Sequence, residues 1–406
     1  MYFGLPTPHL YQLPLSYSAR AWILRVDSGS ILTVFCRWEK ALFLRLWAAI
    51  LAVKGYAMTR LTGVIMATLM LLGGCDGATP PEQAQSWRAE GKTMGTYYRV
   101  LVANPPAAAL TGLNEAIEQR LAEDNHQIST WQDDTILSRF NRYHGTEPQP
   151  ITPGMADIIS TALRVGAKTG GEMDITIGPL VNLWGFGPEK QPTKTPDAKQ
   201  IESARARVGL AHLRLIETSE GQWLQKSMPD MYVDLSTVGE GYATDHLAAL
   251  LEQRGITRYL VSVGGAVLTR GLSSCQQPWR VAIQHPTDEF VAAEAVVDLQ
   301  GHGISTSGSY RNYYELEGKR VSHVIDPVTG GPIDHKLVSA TVIATTALEA
   351  DGWDTGLMVL GTEKAKQLAL QEGLAVFLIT KTDHGFTTWM SPQFSSFIIS
   401  HSDKDA

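Results

Sequence analysis

Cysteine is scarce in this sequence. Three cysteines occur in 406 residues, Cys36, Cys75 and Cys275, and they lie too far apart to form the closely spaced pairs of a zinc knuckle. A structural zinc site is therefore not indicated, and each cysteine has to be interpreted in its own sequence context.

Positive charge is also in short supply. The 34 Lys and Arg residues are outnumbered by 41 Asp and Glu residues, which gives a formal net charge of -7 and a pI near 5.9. Because neutralising nucleic-acid phosphates requires clustered Lys and Arg, this balance argues against nucleic-acid binding through a broad basic face. An anionic ligand would need a local binding device.

The familiar signatures of nucleotide and hydrolase sites are missing. The sequence has no phosphate-binding P-loop, no G-x-G-x-x-G after a strand pattern, no H-E-x-x-H and no nucleophile elbow. Common nucleotide-binding, zinc-protease and hydrolase interpretations therefore lose support. The hydrophobic fraction of 44% and the charged fraction of 18% are those of an ordinary globular protein with enough length for a large core.

An apolar run long enough to span a bilayer is lacking near the start of the chain. The twelve residues Leu61–Leu72 follow Met58 and Arg60 and lead into Leu-Gly-Gly-Cys, ending at Cys75. This length and order are typical of a signal peptide, and the ending resembles a bacterial lipoprotein box with Cys75 as the lipidated residue. The alternative is a buried core helix that ends in a Gly-Gly turn.

These features divide the chain into four parts. Residues 1–57 are interpreted as an upstream extension outside the fold, although their Leu-, Trp- and Arg-rich segment could also be an amphipathic helix or a second anchor. Residues 58–75 are the lipoprotein signal peptide, and the Pro-, Ala- and Gln-rich residues 76–86 are a tether. Residues 87–400 are the folded domain.

Patterning within 87–400 predicts an α+β fold. Segments with β-branched and aromatic alternation are followed by segments with apolar residues at helical spacing, and the second half consists mostly of short strands separated by glycine turns. Hairpin-linked strands favour mixed, mostly antiparallel sheets with flanking helices. We expect a single large, two-lobed domain.

Three oxygen-bearing side chains are concentrated in the segment EADGWDTGLMVLG. If Asp351 begins a helix, Asp354 and Thr355 follow three and four residues later, so that all three project from one face of a turn. Hard oxygen ligands of this kind suit Mg²⁺ or Ca²⁺. The alternative is structural, because Asp is a favoured N-cap and acidic residues in a first turn complement the helix dipole without a metal.

Two further segments could contact a ligand. In DLSTVGEGYATDHL, Asp234 ends an apolar strand and a turn around Gly239 and Gly241 leads into a helix, an arrangement in which backbone N–H groups can bind phosphate. In SHVIDPVTGGP, His323 and Asp326 lie at a strand end beside a turn. Either segment could equally be a structural joint.

Acidic and aromatic residues mark the remaining candidates. Glu172 and Asp174 are expected to enter a strand that leads to an aromatic, glycine-rich loop containing Trp184 and Phe186, which are either core residues or the border of a flat ligand. Met94 and Trp131 lie beside predicted turns, where core packing is the usual role. None of these positions is decisive alone.

Taken in order, the segments resemble the ApbE family of FAD:protein FMN transferases. The resemblance extends from about residue 87 to residue 400, and the segments that carry it are KTMGT, STW, EMDITIGPLVNLWGFGP, DLSTVGEGYA, SVGG, STSGSYR, SHVIDPVTGGP and ADGWDTGLMVLG.

The resemblance implies an enzyme that splits FAD, joins the FMN half to a threonine hydroxyl of an acceptor protein and releases AMP. It implies acceptors that resemble subunits of membrane redox complexes, and a lipid-anchored enzyme on the periplasmic side of the inner membrane. By matching position it implies contacts to FAD from Met94, Trp131, Glu172, Met173, Asp174, Asp234, Glu240 and Ile325. It implies Mg²⁺ ligands at Thr237, Asp351, Asp354 and Thr355.

A threonine hydroxyl needs a base to accept its proton, and His323 is the candidate, with a nearby carboxylate as the alternative. Two other functions remain open at this point. Water could replace threonine, which would make the protein an Mg²⁺-dependent FAD pyrophosphatase, or the protein could be a lipid-anchored flavin-binding protein without catalytic activity.

Overall fold

The computed structural model describes residues 86–188, 191–286, 292–310 and 312–401. The predicted extension 1–57, the signal peptide 58–75 with Cys75, and all but the last residue of the tether 76–86 lie outside the described residues. Within the described ranges, no helix is both long and apolar enough to cross a bilayer.

The described residues form sixteen strands and eight α-helices. The strands are β1 (Ser86–Thr93), β2 (Thr96–Ala103), β3 (Gln149–Ile151), β4 (Leu213–Thr218), β5 (Gly221–Lys226), β6 (Tyr259–Val263), β7 (Ala266–Arg270), β8 (Val281–Gln284), β9 (Ala293–Val297), β10 (Gly303–Gly308), β11 (Tyr313–Leu316), β12 (Lys319–Ser322), β13 (Leu337–Ala344), β14 (Ala375–Thr382), β15 (Gly385–Met390) and β16 (Ile398–His401). The helices are α1 (Leu113–Ile128), α2 (Ile136–Arg142), α3 (Pro153–Lys168), α4 (Gly178–Leu183), α5 (Ala198–Arg205), α6 (Ser236–Gln253), α7 (Ala347–Leu360) and α8 (Thr362–Glu372).

The main sheet has eight strands in the order β1-β2-β6-β7-β10-β13-β14-β15, and its strand pairs are all antiparallel. Three small antiparallel sheets accompany it, with orders β16-β9-β8, β3-β5-β4 and β11-β12. Mixed helices and mostly antiparallel sheets confirm the predicted α+β fold class.

The sheet separates two apolar layers because alternate residues of a strand face opposite sides. On β14, Val376 and Leu378 pack in the same core as Trp353 and Leu357 of α7. Phe377, between them, packs on the other side against residues of β8, β9 and the C-terminal segment. Helix α7 is therefore held flat against one face of the sheet, with α6 beside it.

The glycines of the 234–247 segment do not form the predicted turn. Helix α6 begins at Ser236, so Gly239 and Gly241 lie inside it. A Cβ at Gly241 would collide with the backbone carbonyl of Ala347. The glycine is required by the close approach of α7, and sequence patterning alone could not distinguish this packing role from a turn.

Two predicted strands are also wrong. Residues 172–174 form a loop, because the Asp174 carboxylate accepts hydrogen bonds from the N–H and hydroxyl of Thr176, at 2.7 and 2.6 Å, and so competes with strand pairing. Asp234 does not end a strand either. Its N–H donates to the carbonyl of Ile175 at 2.8 Å, and the only ladder contact there is an isolated parallel bridge between Ile177 and Tyr232 among the described residues.

Candidate active site

Helices α6 and α7 are joined by hydrogen bonds that fix their relative register. The N–H of Gly241 donates to Oδ2 of Asp351 at 2.8 Å, and one turn further along α6 the Asp245 carboxylate accepts from the N–H groups of Ala347 and Leu348. A step of four residues forward on α6 thus matches a step of four residues back on α7. Extended one turn in the other direction, this antiparallel register directs Thr237 towards the turn of Asp354.

All four predicted metal ligands line one cavity of about 470 Å³. Several predicted FAD contacts and the predicted base line the same cavity, namely Glu172, Asp174, Asp234, Glu240, Ile325 and His323. Six of the lining side chains are carboxylates, and no Lys or Arg lines the cavity among the described residues. The cavity therefore has a strongly acidic wall, and the described chain supplies no Lys or Arg to pair with it.

Asp351 and Asp354 are both buried in this wall, with 7% and 1% of their surface exposed. Asp351 does not begin the helix as expected. It is the fifth residue of α7, while Thr346 is the N-cap, so the capping explanation of Asp351 is wrong. Ser305 of β10 donates to Oδ1 of Asp351 at 3.0 Å, and Thr355 donates to Oδ1 of Asp354 at 3.2 Å.

Burial raises the pKa of both carboxyl groups well above the usual range of Asp. For Asp351 the charge of Glu240 adds to the effect of burial, and for Asp354 the charge of Asp351 does so. Each carboxylate disfavours the ionised form of its neighbour. A cation between them would remove this conflict.

One oxygen atom of the cavity wall lacks a hydrogen-bond partner. The hydroxyl oxygen of Thr237 is buried and has no hydrogen-bond partner, which is costly for a polar group. Within the described ranges, no group of three or more His, Cys, Asp or Glu side chains is arranged to hold a metal. A cation here would therefore be bound by two carboxylates together with threonine hydroxyls, a donor set that fits Mg²⁺.

Two other acidic side chains of the wall accept hydrogen bonds from backbone N–H groups. Oε2 of Glu240 accepts from the N–H of Gly265 at 2.7 Å, and Oδ1 of Asp234 accepts from the N–H of Ser236 at 2.9 Å. Burial raises the pKa of both groups. Gly264 has a φ of 52°, and a side chain there would occupy the place of the Glu240 carboxylate, so the SVGG turn is shaped around that residue.

His323 follows β12 directly and faces the cavity as a neutral base. Its Nδ1 lies 2.9 Å from the carbonyl oxygen of Asn312, and because a carbonyl can only accept, Nδ1 carries the proton and Nε2 has the free lone pair. Burial lowers the pKa of the imidazole. The ring of Phe186 meets it edge-on with centroids 6.3 Å apart.

The turn after His323 is a structural element that places Ile325 in the cavity wall. Asp326 accepts hydrogen bonds from the N–H groups of Val328 and Thr329 at 2.7 and 3.1 Å. Trp184 is buried and donates to the carbonyl of Gly330 at 2.8 Å. The Asp326 side chain thus forms the turn, Trp184 anchors it, and Phe186 is the aromatic residue of its loop that lines the cavity.

Three predicted FAD contacts do not line the cavity. Met94 lies in the β1–β2 turn with a φ of 50°, Met173 is buried with its N–H bonded to the Thr169 hydroxyl at 3.1 Å, and Trp131 is 69% exposed. Their contacts with FAD stay predictions.

Patterning missed Ser305 and Asp245, which contact α7 directly. Ser305 is buried on β10, and a polar residue at a buried strand position is the signal that could have identified it. Asp245 lies on a helix with no local sign of its partner, because its bonds join residues more than 100 positions apart.

Comparison with known proteins identifies the family of this chain. The family model described as ApbE family matches residues 94–378. An FAD:protein FMN transferase of Klebsiella pneumoniae (strain 342) is 59% identical over 344 residues, covering 84% of this chain and 98% of the relative. An FAD:protein FMN transferase of Escherichia coli (strain K12) is 58% identical over 339 residues, covering 83% and 97%.

A solved structure supports the same conclusion. The flavin transferase ApbE from Vibrio cholerae superposes with a TM-score of 0.72 at 39% identity, covering 77% of this chain and 99% of that chain. Sequence and fold therefore agree over nearly the whole described region, and the chain belongs to the ApbE family.

Proposed function

We propose that this protein is an FAD:protein FMN transferase that moves the FMN moiety of FAD to a threonine hydroxyl of an acceptor protein and releases AMP. Relatives with that transferase name are 58% and 59% identical to it. The observation that carries the proposal is the cavity itself, in which six carboxylates, a free-standing threonine hydroxyl and a neutral histidine surround a space of about 470 Å³.

The acidic wall of the cavity supports a divalent cation as part of this proposal. FAD carries a negatively charged pyrophosphate, which the acidic wall would repel at close range in a site of low dielectric constant. Thr237, Asp351, Asp354 and Thr355 would hold Mg²⁺. When bound, the ion supplies neutralisation of the pyrophosphate charge and of the charge that develops on the departing AMP.

The chain itself binds and orients the substrate. Ile177, Val181, Phe186 and Ile325 provide apolar lining on the His323 side of the cavity, which suits the flat isoalloxazine ring of a flavin. Holding the FMN phosphorus close to an incoming hydroxyl converts the reaction into an effectively intramolecular step.

His323 is the proposed general base. Nε2 accepts the proton of the acceptor threonine as its oxygen forms a bond to the FMN phosphorus, while the bond from that phosphorus to the AMP oxygen breaks. The products are a threonyl phosphoester of FMN, AMP and a protonated imidazole that returns its proton to solvent. The carbonyl of Asn312 holds Nδ1–H and so keeps the reactive nitrogen unprotonated before the reaction.

The proposed location follows from the sequence upstream of the domain. We propose that Cys75 is lipidated and anchors the enzyme on the periplasmic side of the inner membrane, where subunits of redox complexes would be accessible as acceptors. The Leu-Gly-Gly-Cys ending of the apolar run supports this. Cys75→Ser should move the protein from the membrane fraction to the soluble fraction and remove the lipid from its mass spectrum; an unchanged distribution would contradict the anchor.

The activity is tested by incubating the purified protein with FAD, Mg²⁺ and a candidate acceptor and weighing the acceptor by mass spectrometry. Transfer predicts an acceptor carrying one FMN on threonine, with one AMP released for each modified acceptor. FMN and AMP without a modified acceptor would show FAD hydrolysis instead. Tight FAD binding without products, unchanged by Mg²⁺, would show a flavin-binding protein.

A further inference from the structure

The proposed mechanism does not use Asp245, a carboxylate that lies beside the site. It lies on α6, one helical turn beyond Gly241. Oδ1 accepts from the N–H of Ala347 and Oδ2 accepts from the N–H of Leu348, both at 2.9 Å. The two oxygens of one side chain therefore bind the first two residues of α7, which lie more than 100 positions away in the sequence.

These bonds complete the N-terminus of α7. The first N–H groups of a helix have no partner within the helix. Here Asp245 binds those of Ala347 and Leu348, and Thr346 supplies its hydroxyl to the N–H of Glu349 at 3.1 Å and its carbonyl to the N–H of Ala350 at 3.2 Å. A local cap is thus combined with a cap supplied by a different helix.

The cap from α6 restricts how α7 can move. Two glycines allow the backbone around Ala347 to approach closely, since a Cβ at Gly241 or at Gly303 would collide with that backbone. The start of α7 contacts Gly241 on one side and Gly303 on the other, and it donates two hydrogen bonds to Asp245. These contacts allow it only one position along α6. The axial rise of a helix is about 1.5 Å per residue, so even a shift by one residue would separate the two sides of the candidate cation site.

We propose that Asp245 is a positioning residue for the candidate cation site, which sets the position of α7 along α6 and thereby holds Asp351 and Asp354 opposite Thr237. This inference rests on the proposed function, because it concerns the site that would hold Mg²⁺. Asp245 is not one of the proposed ligands, because it does not line the cavity that Thr237, Asp351, Asp354 and Thr355 line.

A plain stabilising role is the competing explanation, because any lost cap weakens a helix. Asp197 provides a matched control. It caps α5, away from α6 and α7, by accepting from the N–H of Gln200 at 2.9 Å in a capping box. Asp197→Ala therefore removes an acidic helix cap without touching the helix that carries the acidic pair.

The experiment measures Mg²⁺ binding to the full-length protein in the absence of FAD by titration calorimetry, together with the Tm of each variant with and without Mg²⁺. We expect Asp245→Ala to weaken Mg²⁺ binding at least tenfold, and Asp245→Asn, which keeps one acceptor oxygen, to weaken it less. Asp197→Ala should lower the Tm and leave the Mg²⁺ affinity unchanged. In transfer assays, the activity of Asp245→Asn should return towards that of the unmodified protein as the Mg²⁺ concentration is raised.

The outcomes separate the proposals. If Asp245→Ala and Asp245→Asn have a lower Tm but the same Mg²⁺ affinity as the unmodified protein, Asp245 only stabilises the fold. The positioning role is then overturned, while the proposed function stands. If the unmodified protein itself does not bind Mg²⁺, the metal part of the proposed function fails and the positioning role fails with it. Should Asp245→Ala not fold, Asp245→Asn decides by the same two readouts.

Discussion

The N–H of Gly241 donates a hydrogen bond of 2.8 Å to the carboxylate of Asp351, and this bond joins the two helices that form the candidate cation site. A backbone N–H inside one helix is thereby used to orient an acidic side chain of the other. The bond requires a close approach of α6 and α7, which only a residue without a side chain allows at position 241.

Gly241→Ala should therefore destabilise the fold, although alanine is the better helix former. The added methyl group meets the carbonyl of Ala347 and pushes the helices apart, which we expect to cost about 2 to 3 kcal/mol and to abolish transfer. Gly352→Ala is the matched control, because the space beside Gly352 in α7 has its nearest atoms at 3.6 Å. Denaturant unfolding should show a loss for the first variant and no loss for the second; equal stabilities would contradict the close-packing explanation.

Asp351→Ala should abolish FMN transfer while the protein still folds. Removing one of two carboxylate ligands weakens the cation site, and we expect a loss of at least about 100-fold in kcat/KM. Circular dichroism checks the fold and the acceptor assay checks the activity. A variant as active as the unmodified protein would contradict the proposed role of Asp351 as a metal ligand.

Asp354→Asn separates the destabilising effect of the buried carboxylate from its role as a proposed Mg²⁺ ligand. Without metal, the variant should be more stable than the unmodified protein, because it removes one of two mutually repelling buried carboxylates. With Mg²⁺ the order should reverse, since the variant has lost a ligand. Thermal unfolding with and without Mg²⁺ measures both effects, and a Mg²⁺-induced rise in Tm equal to that of the unmodified protein would contradict the role of Asp354.

The lowered pKa of His323 predicts how activity and stability depend on pH. The imidazole stays neutral down to a pH below its ordinary value of 6.5, so kcat/KM should stay on a plateau near neutral pH and fall in acid. The unfolded chain takes up a proton at a higher pH than the folded protein, so the contribution to stability is also lost as pH falls below about 6.5.

His323→Gln should abolish the acid limb of the pH profile together with most of the activity. His384→Gln, at an exposed position, is the control and should leave the profile unchanged. An acid limb that persists in the residual activity of His323→Gln would assign the base to a different group.

A buried lysine outside the site gives a test of the fold alone. Nζ of Lys226 donates to the backbone carbonyls of Phe140, Asn141 and Met231 at 3.1 to 3.3 Å. Lys226→Met keeps the stem but leaves these acceptors without a partner, which should cost about 3 kcal/mol. The exposed Lys381→Met should be neutral within about 0.5 kcal/mol. Equal unfolding midpoints for the two variants would contradict the role of the three hydrogen bonds.

Local patterning was sufficient where a residue's role depends on its near neighbours in the chain. The helical spacing of Asp351, Asp354 and Thr355 predicts that they lie on one helix, and the alternation of strands and helices predicts the α+β class; the structure confirms both. The family resemblance was needed to add Thr237, since nothing near that residue in the sequence marks it as a partner of α7.

Patterning failed where a distant segment decides the role. Gly241 looks like a turn residue in the sequence, but α7 requires its glycine. Asp351 looks like a helix cap, but Thr346, five residues earlier, is the N-cap of α7, and Asp245 of α6 accepts from its first two N–H groups. The 172–174 segment looks like a strand, but it is a loop in which the side chain of Asp174 accepts hydrogen bonds from Thr176.

The most direct test of the central claim is a crystal structure of the protein soaked with Mn²⁺ in place of Mg²⁺, because anomalous scattering locates that ion without ambiguity. We expect one ion between α6 and α7, coordinated by Asp351, Asp354 and the hydroxyl groups of Thr237 and Thr355. An ion bound elsewhere, with Thr237 and the acidic pair too far apart to share it, would contradict the account.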